Sequence, residues 1–94
     1  MNCKIISFSD HAISQMFKRD ISVENVKQVI LSGEIIAEYP IDKPFPSSLV
    51  LGYINRKALH VVVAMNELNG HCIVVTAYVP TLDIWEVNFR IKRK

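Results

Sequence analysis

The sequence predicts an α+β domain in which two N-terminal helices pack on a three- to four-stranded antiparallel sheet. Three observations carry that expectation. Two serine-capped segments with helical apolar spacing occupy the first third of the chain. Everything after Gly33 consists of short β-branched runs separated by turn residues. Asn69-Gly70 stands between the last two runs, and both residues tolerate positive φ, so these runs should form an antiparallel hairpin.

The chain opens with "KIISF", Lys4–Phe8, a short strand or an extended lead-in. Ser9 or Asp10 can cap a first helix by accepting a bond from a backbone N–H that the helix start leaves without a partner. At about 100° per residue, His11, Gln15 and Lys18 share one stripe, with Arg19 at its edge. Ala12, Ile13, Met16 and Phe17 occupy the opposite stripe, which is expected to face the core. For the second helix, Ser22 is the N-cap, Glu24 sits in the first turn, and Ile21 and Val26 form a hydrophobic staple. Val26, Val29 and Ile30 continue one apolar face, and Gly33 is expected to stop the helix in a left-handed conformation.

"EIIAEY" then reads as a strand, and "PIDKPFPSS", with its three prolines, as a loop. "SLVLGYIN", "ALHVVVAM" and "HCIVVTAYV" have the length and β-branched content of strands, with a weaker turn at Arg56-Lys57. Alternation sorts their faces. Leu59, Val61, Val63 and Met65 should face the helices, and His60, Val62 and Ala64 the other side. On the last strand, Ile73, Val75, Ala77 and Val79 form one side, and Cys72, Val74, Thr76 and Tyr78 the other. The second face of the sheet is apolar enough to need a cover, either the C-terminal segment with Trp85 and Phe89 or a partner protein.

Bulk properties limit the functional classes. With 94 residues, the chain is one domain, and an apolar fraction of 50% marks it as a folding globular protein. A net charge of +2 does not by itself indicate nucleic acid, although "RIKRK" closes the chain with four cations in five residues. Cys3 and Cys72 lie far apart and form no CxxC pair; without a signal peptide the expectation is buried free thiols in a cytoplasmic protein. "LHVVVAM", the longest apolar run, is much shorter than the ~20 residues of a membrane span, so no membrane partner is expected. The three histidines and two cysteines match no spaced zinc motif, and the three glycines form no phosphate-cradling loop; no metal or cofactor is expected.

Three features could carry chemistry. His11, at a helix start on the solvent-facing stripe, is either an exposed first-turn residue or a base kept neutral by the positive end of the helix dipole. His60, in mid-strand among valines, suits a hydrogen-bonded structural role beneath Trp85, and His71 should simply be exposed. In "TAYVPTLDIWEVNFRIKRK", Tyr78, Trp85 and Phe89 alternate with Arg90, Lys92 and Arg93. Aromatics interleaved with cations suit single-stranded RNA, where bases stack and phosphates are neutralised; core cover with a cationic fringe gives the same pattern.

The blocks "HAISQMFKRDIS", "YPIDKPFPSSLVLG", "LHVVVAM" and "TAYVPTLDIWEVNFRIKRK" resemble, over nearly the whole chain, a small prokaryotic family known as domain of unknown function 4258. That family's shape is similar to the RelE and ParE toxins of toxin–antitoxin pairs. The resemblance implies a RelE/ParE-like α+β fold, an antitoxin partner and a toxin that cleaves messenger RNA without a metal or blocks another central process. Carried over by motif position, the polar residues are His11, Arg19, His60, Tyr78, Trp85 and Arg90. His11 would be the base, Tyr78 or His60 the acid, and Arg19 and Arg90 the cations around the scissile phosphate. Lys18, Trp85, Lys92 and Arg93 would bind RNA. Gln15 stands where the family motif has arginine. That departure weighs toward an inactive relic, while the half-apolar sheet face and basic tail suit a non-catalytic protein- or RNA-binding module of the same fold.

Overall fold

A computed structural model describes residues 1–94. The order is β1 (Ile5–Phe8), α1 (Asp10–Lys18), α2 (Val23–Ser32), β2 (Glu34–Tyr39), β3 (Ser47–Ile54), β4 (Lys57–Asn66) and β5 (His71–Tyr78). The strands form one five-stranded sheet in the order β1-β5-β4-β3-β2, with β1 parallel to β5 and the other neighbours antiparallel. The class is α+β as expected, but the three- to four-stranded antiparallel sheet is corrected to a five-stranded mixed one. The parallel edge escaped the reading because β1 has only four residues and pairs with a strand at the other end of the chain, with no turn to announce it.

The local signals explain the helices. Ser9 Oγ accepts from the Ala12 N–H (3.0 Å) and Ser22 Oγ from the Asn25 N–H (3.1 Å), satisfying a donor at each helix start. Beyond the α1 C-cap at Arg19, Asp20 turns the chain away at φ 56°, a conformation that Asp tolerates. Its buried residues are Ala12 and Met16 only; Ile13 is 44% and Phe17 87% exposed, so the expected core stripe is twice as wide as the real one. α2 buries Val26, Val29 and Ile30 as expected, each worth about 1.5–3 kcal/mol. Gly33 caps α2 with φ −79° and ψ −178°, which is extended and not left-handed. Glycine is required there by space, because a Cβ would lie 2.6 Å from the Leu51 carbonyl oxygen and collide with that of Val29.

Both helices cover one face of the sheet, and the core between them comprises Val50, Leu59, Val61, Val63, Cys72, Val74 and Ala77 with the helix residues above. Cys72, Val74 and Ala77 cannot share a face in regular alternation. A bulge reconciles them: Val62 pairs with Thr76 and Val63 with Val74, so Val75 has no partner and β5 changes phase. The expected face division of the last strand is corrected accordingly. The β3–β4 turn is centred on Asn55-Arg56, both at positive φ (50° and 69°), one residue before the expected position. Gly70, φ 71°, closes the β4–β5 hairpin.

Cys3 and Cys72 form a disulfide, their Cα atoms 5.7 Å apart, which corrects the expectation of two free thiols. It ties the N-terminal segment to β5 beside the Lys4 N–H to Gly70 carbonyl bond of 2.9 Å. No helix is long and apolar enough to cross a membrane.

Candidate functional site

His60, Tyr78 and Trp85 meet on the sheet face away from the helices, and Arg19 reaches the β5 edge beside them. His60 on β4 stands between Leu51 of β3 and Tyr78 of β5. After Pro80 the chain folds back in a tight hairpin, closed by the Glu86 N–H to Ile91 carbonyl bond (2.8 Å) and the Arg93 N–H to Ile84 carbonyl bond (2.8 Å). This hairpin lays Trp85 edge-on against the His60 ring, centroids 4.5 Å apart, and turns at Phe89 (φ 55°) so that its carbonyl meets the imidazole. Trp85 and His60 are both buried, as expected of a structural histidine beneath a tryptophan cover.

The tautomer of His60 follows from its partners. The Phe89 carbonyl can only accept, so Nε2 carries the proton and donates to it at 2.8 Å. In the neutral ring Nδ1 is then an acceptor, and the Tyr78 hydroxyl donates to it at 3.2 Å. Burial lowers the His60 pKa, with the Phe89 bond opposing, so the ring is neutral over a wider range than a free imidazole. The Tyr78 pKa is raised by burial, with nearby Tyr39 adding to the effect and the Arg19 charge opposing it.

Arg19 reaches this place because β1 is short. β1 pairs only with His71–Val74, so the rest of the β5 edge has no strand partner. Arg19, immediately after α1, donates from Nη1 to the Ala77 carbonyl (2.9 Å) and to Thr76 Oγ1 (3.4 Å). The guanidinium therefore sits beside Tyr78 at the wall of an open groove of ≈ 500 Å³, lined by Arg19, Tyr78, Val79, Pro80 and Trp85 among others. The groove presents a fixed cation, a weakly acidic hydroxyl and an apolar wall.

The structure thus brings Arg19, His60, Tyr78 and Trp85 together. His11 is exposed in the first turn of α1, eight residues and about 12 Å along the helix from Arg19, and lines no groove. Arg90 makes a two-point pair with Glu34 (2.6 and 3.1 Å) at the start of β2, the edge of the sheet away from α1. Lys18 is exposed at the end of α1, Lys92 lies 6.0 Å from the Trp85 ring centroid, and Arg93 pairs with Glu86 (3.3 Å). His71, expected to be exposed, is half-buried with its Nε2 2.7 Å from Ser7 Oγ. Sequence reasoning missed the Phe89 carbonyl, since a backbone atom leaves no residue-type signal, and Glu34, whose pairing partner lies 56 residues away.

No curated protein and no solved structure matches the chain. A family model does, over residues 8–79, a span that includes Arg19, His60 and Tyr78 and stops before Trp85 and Arg90. The chain belongs to the family described as Domain of unknown function (DUF4258).

Proposed function

We propose that the protein is a toxin-like member of a toxin–antitoxin pair, of the RelE/ParE kind, and that it cleaves RNA without a metal in the groove over Arg19 and Tyr78. The observation that supports this reading is the Tyr78 hydroxyl bonded to neutral His60 in the same groove wall as the Arg19 guanidinium, which is anchored on the neighbouring Ala77 carbonyl. In such a cleavage the 2′-oxygen bonds to phosphorus and the bond from phosphorus to the 5′-oxygen breaks. Arg19 stabilises the charge that builds on the phosphoryl oxygens. The Tyr78 hydroxyl turns from His60 to the departing 5′-oxygen and gives it a proton, and the 2′-OH proton passes to water. His60 is a positioning residue, because it is fully buried and reaches substrate only through Tyr78.

One observation favours a second reading, a non-catalytic RNA- or protein-binding module: His60 is buried and His11 lies outside the groove, so no histidine base faces it. Inducible expression in bacteria separates the two. Growth arrest with RNA ends bearing 2′,3′-cyclic phosphate, abolished in Tyr78→Phe and Arg19→Ala, supports the nuclease. Arrest with intact RNA supports the module, in which case the partner protein is sought by co-purification. Normal growth and no RNA binding by the folded protein removes both RNA readings.

A further inference from the structure

We propose that the RNA-binding surface continues into a second groove, with a single strand crossing from Tyr78 over Arg19 to Lys57. The inference rests on the reading of the first groove as an RNA site and extends it to a residue that carried no motif signal. The second groove, ≈ 450 Å³, shares Arg19 and Val79 with the first, so the two meet along these side chains. Both volumes fall within the roughly 300–1,000 Å³ of ligand-sized sites.

Three backbone features converge to build it. Asp20, at φ 56°, turns the chain out of α1. The Ser22 cap starts α2 so that Asn25 faces the groove. The Asn55-Arg56 turn, at positive φ in both residues, returns the chain so that Lys57 opens β4 at the groove margin. Lys57 is three residues before His60, about 10 Å along the strand, a separation that a short oligonucleotide spans.

The chemistry suits a nucleotide chain. The molecule's ion pairs are Arg90–Glu34 and Arg93–Glu86, so Arg19 and Lys57 reach the groove without a carboxylate partner. Asp20 is the one carboxylate in its lining, against these two cations. Arg19 commits Nη1 to the β5 edge, and its Nη2 has no partner within the fold, which leaves a donor for a phosphate at the junction. Lys57 then takes the next phosphate. The amides of Asn25 and Asn55 provide donors and acceptors for base edges or 2′-hydroxyls, and Ile21, Ile54 and Val79 give the apolar wall.

Fluorescence anisotropy with 2′-O-methyl oligoribonucleotides, which cannot be cleaved, tests the path. The wild type should bind an octamer at least tenfold more tightly than a trinucleotide. In Lys57→Ala the octamer should weaken about tenfold and the trinucleotide less than twofold, with the octamer's salt slope reduced by about 0.7. Lys57→Glu should weaken the octamer further, and Lys27→Ala, a cation on α2 outside both grooves, should leave it unchanged. Equal loss in Lys27→Ala and Lys57→Ala, or equal wild-type affinity for the two lengths, overturns the second groove while leaving the Arg19 site standing. Absence of any RNA binding by the wild type overturns both.

Discussion

Reduction of the Cys3–Cys72 disulfide is a quantitative test of how the N-terminal strand is held. The bridge joins residues 69 apart in sequence. In the chain-entropy model a loop of that length restricts the unfolded ensemble by about 4 kcal/mol. A domain of this size loses about 4–8 °C in Tm per kcal/mol, so full reduction should lower the Tm by about 15–30 °C. The loss should begin locally, because a reduced β1 is held at the sheet edge by its four-residue parallel ladder to β5, the Lys4–Gly70 bond and the Ser7–His71 hydrogen bond. The assay is circular dichroism melting with and without a phosphine reductant, with thiol alkylation and intact mass confirming each redox state. Hydrogen exchange at Ile5–Phe8 reports the local step. Cys3→Ser should reproduce the reduced protein, since Cys3 is the less buried partner. A fully reduced chain melting within about 3 °C of the oxidised one would refute the entropic reasoning, and two free thiols in protein purified without reductant would refute the bridge itself.

Other consequences follow from the site and its cover. Trp85→Ala should destabilise the fold by about 3–5 kcal/mol in urea titration, because it opens the cover over His60; a cost below about 1 kcal/mol would mean the hairpin is not packed as described. The lowered His60 pKa means that the unfolded chain takes up a proton first on acidification. The linked stability is therefore present above pH 6.5 and lost as pH falls through the folded-state value, and His60→Asn should flatten the urea midpoint across that window. For Tyr78 the sign reverses: its pKa is raised, so stability should fall as pH rises above 10, an effect absent in Tyr78→Phe. Gly33→Ala should cost about 1–3 kcal/mol through collision with two carbonyl oxygens, although φ there is ordinary; an unchanged urea midpoint would show that the β2 entrance can shift.

Local rules account for what could be read in advance and for what could not. Ser9 and Ser22 act through donors three residues away, and the faces of α2 and β4 obey regular periods, so these elements follow from residue order. Ile13 and Phe17 follow the same period yet stay largely in solvent, because α1 meets the sheet chiefly over β5, near its edge. The phase of β5 depends on a bulge, and the need for glycine at position 33 depends on the carbonyl of a neighbouring strand; neither has a marker at its own position. In the site, the expectation that Trp85 covers His60 follows from adjacent apolar faces needing burial. His11 stands apart because it occupies the opposite end of α1 from Arg19, and Arg90 because its partner Glu34 lies at the β2 edge of the sheet, away from β5.

The residue order by itself determined the helix caps, the two apolar helix faces in outline and the three long strands, since each depends on neighbours within a few residues or on simple alternation. Tertiary structure alone decided the parallel β1–β5 edge, the Cys3–Cys72 bridge and the meeting of Arg19 with Tyr78. Each of these joins parts of the chain more than 50 residues apart, and such pairings are selected by the packing of the whole sheet rather than by any local preference.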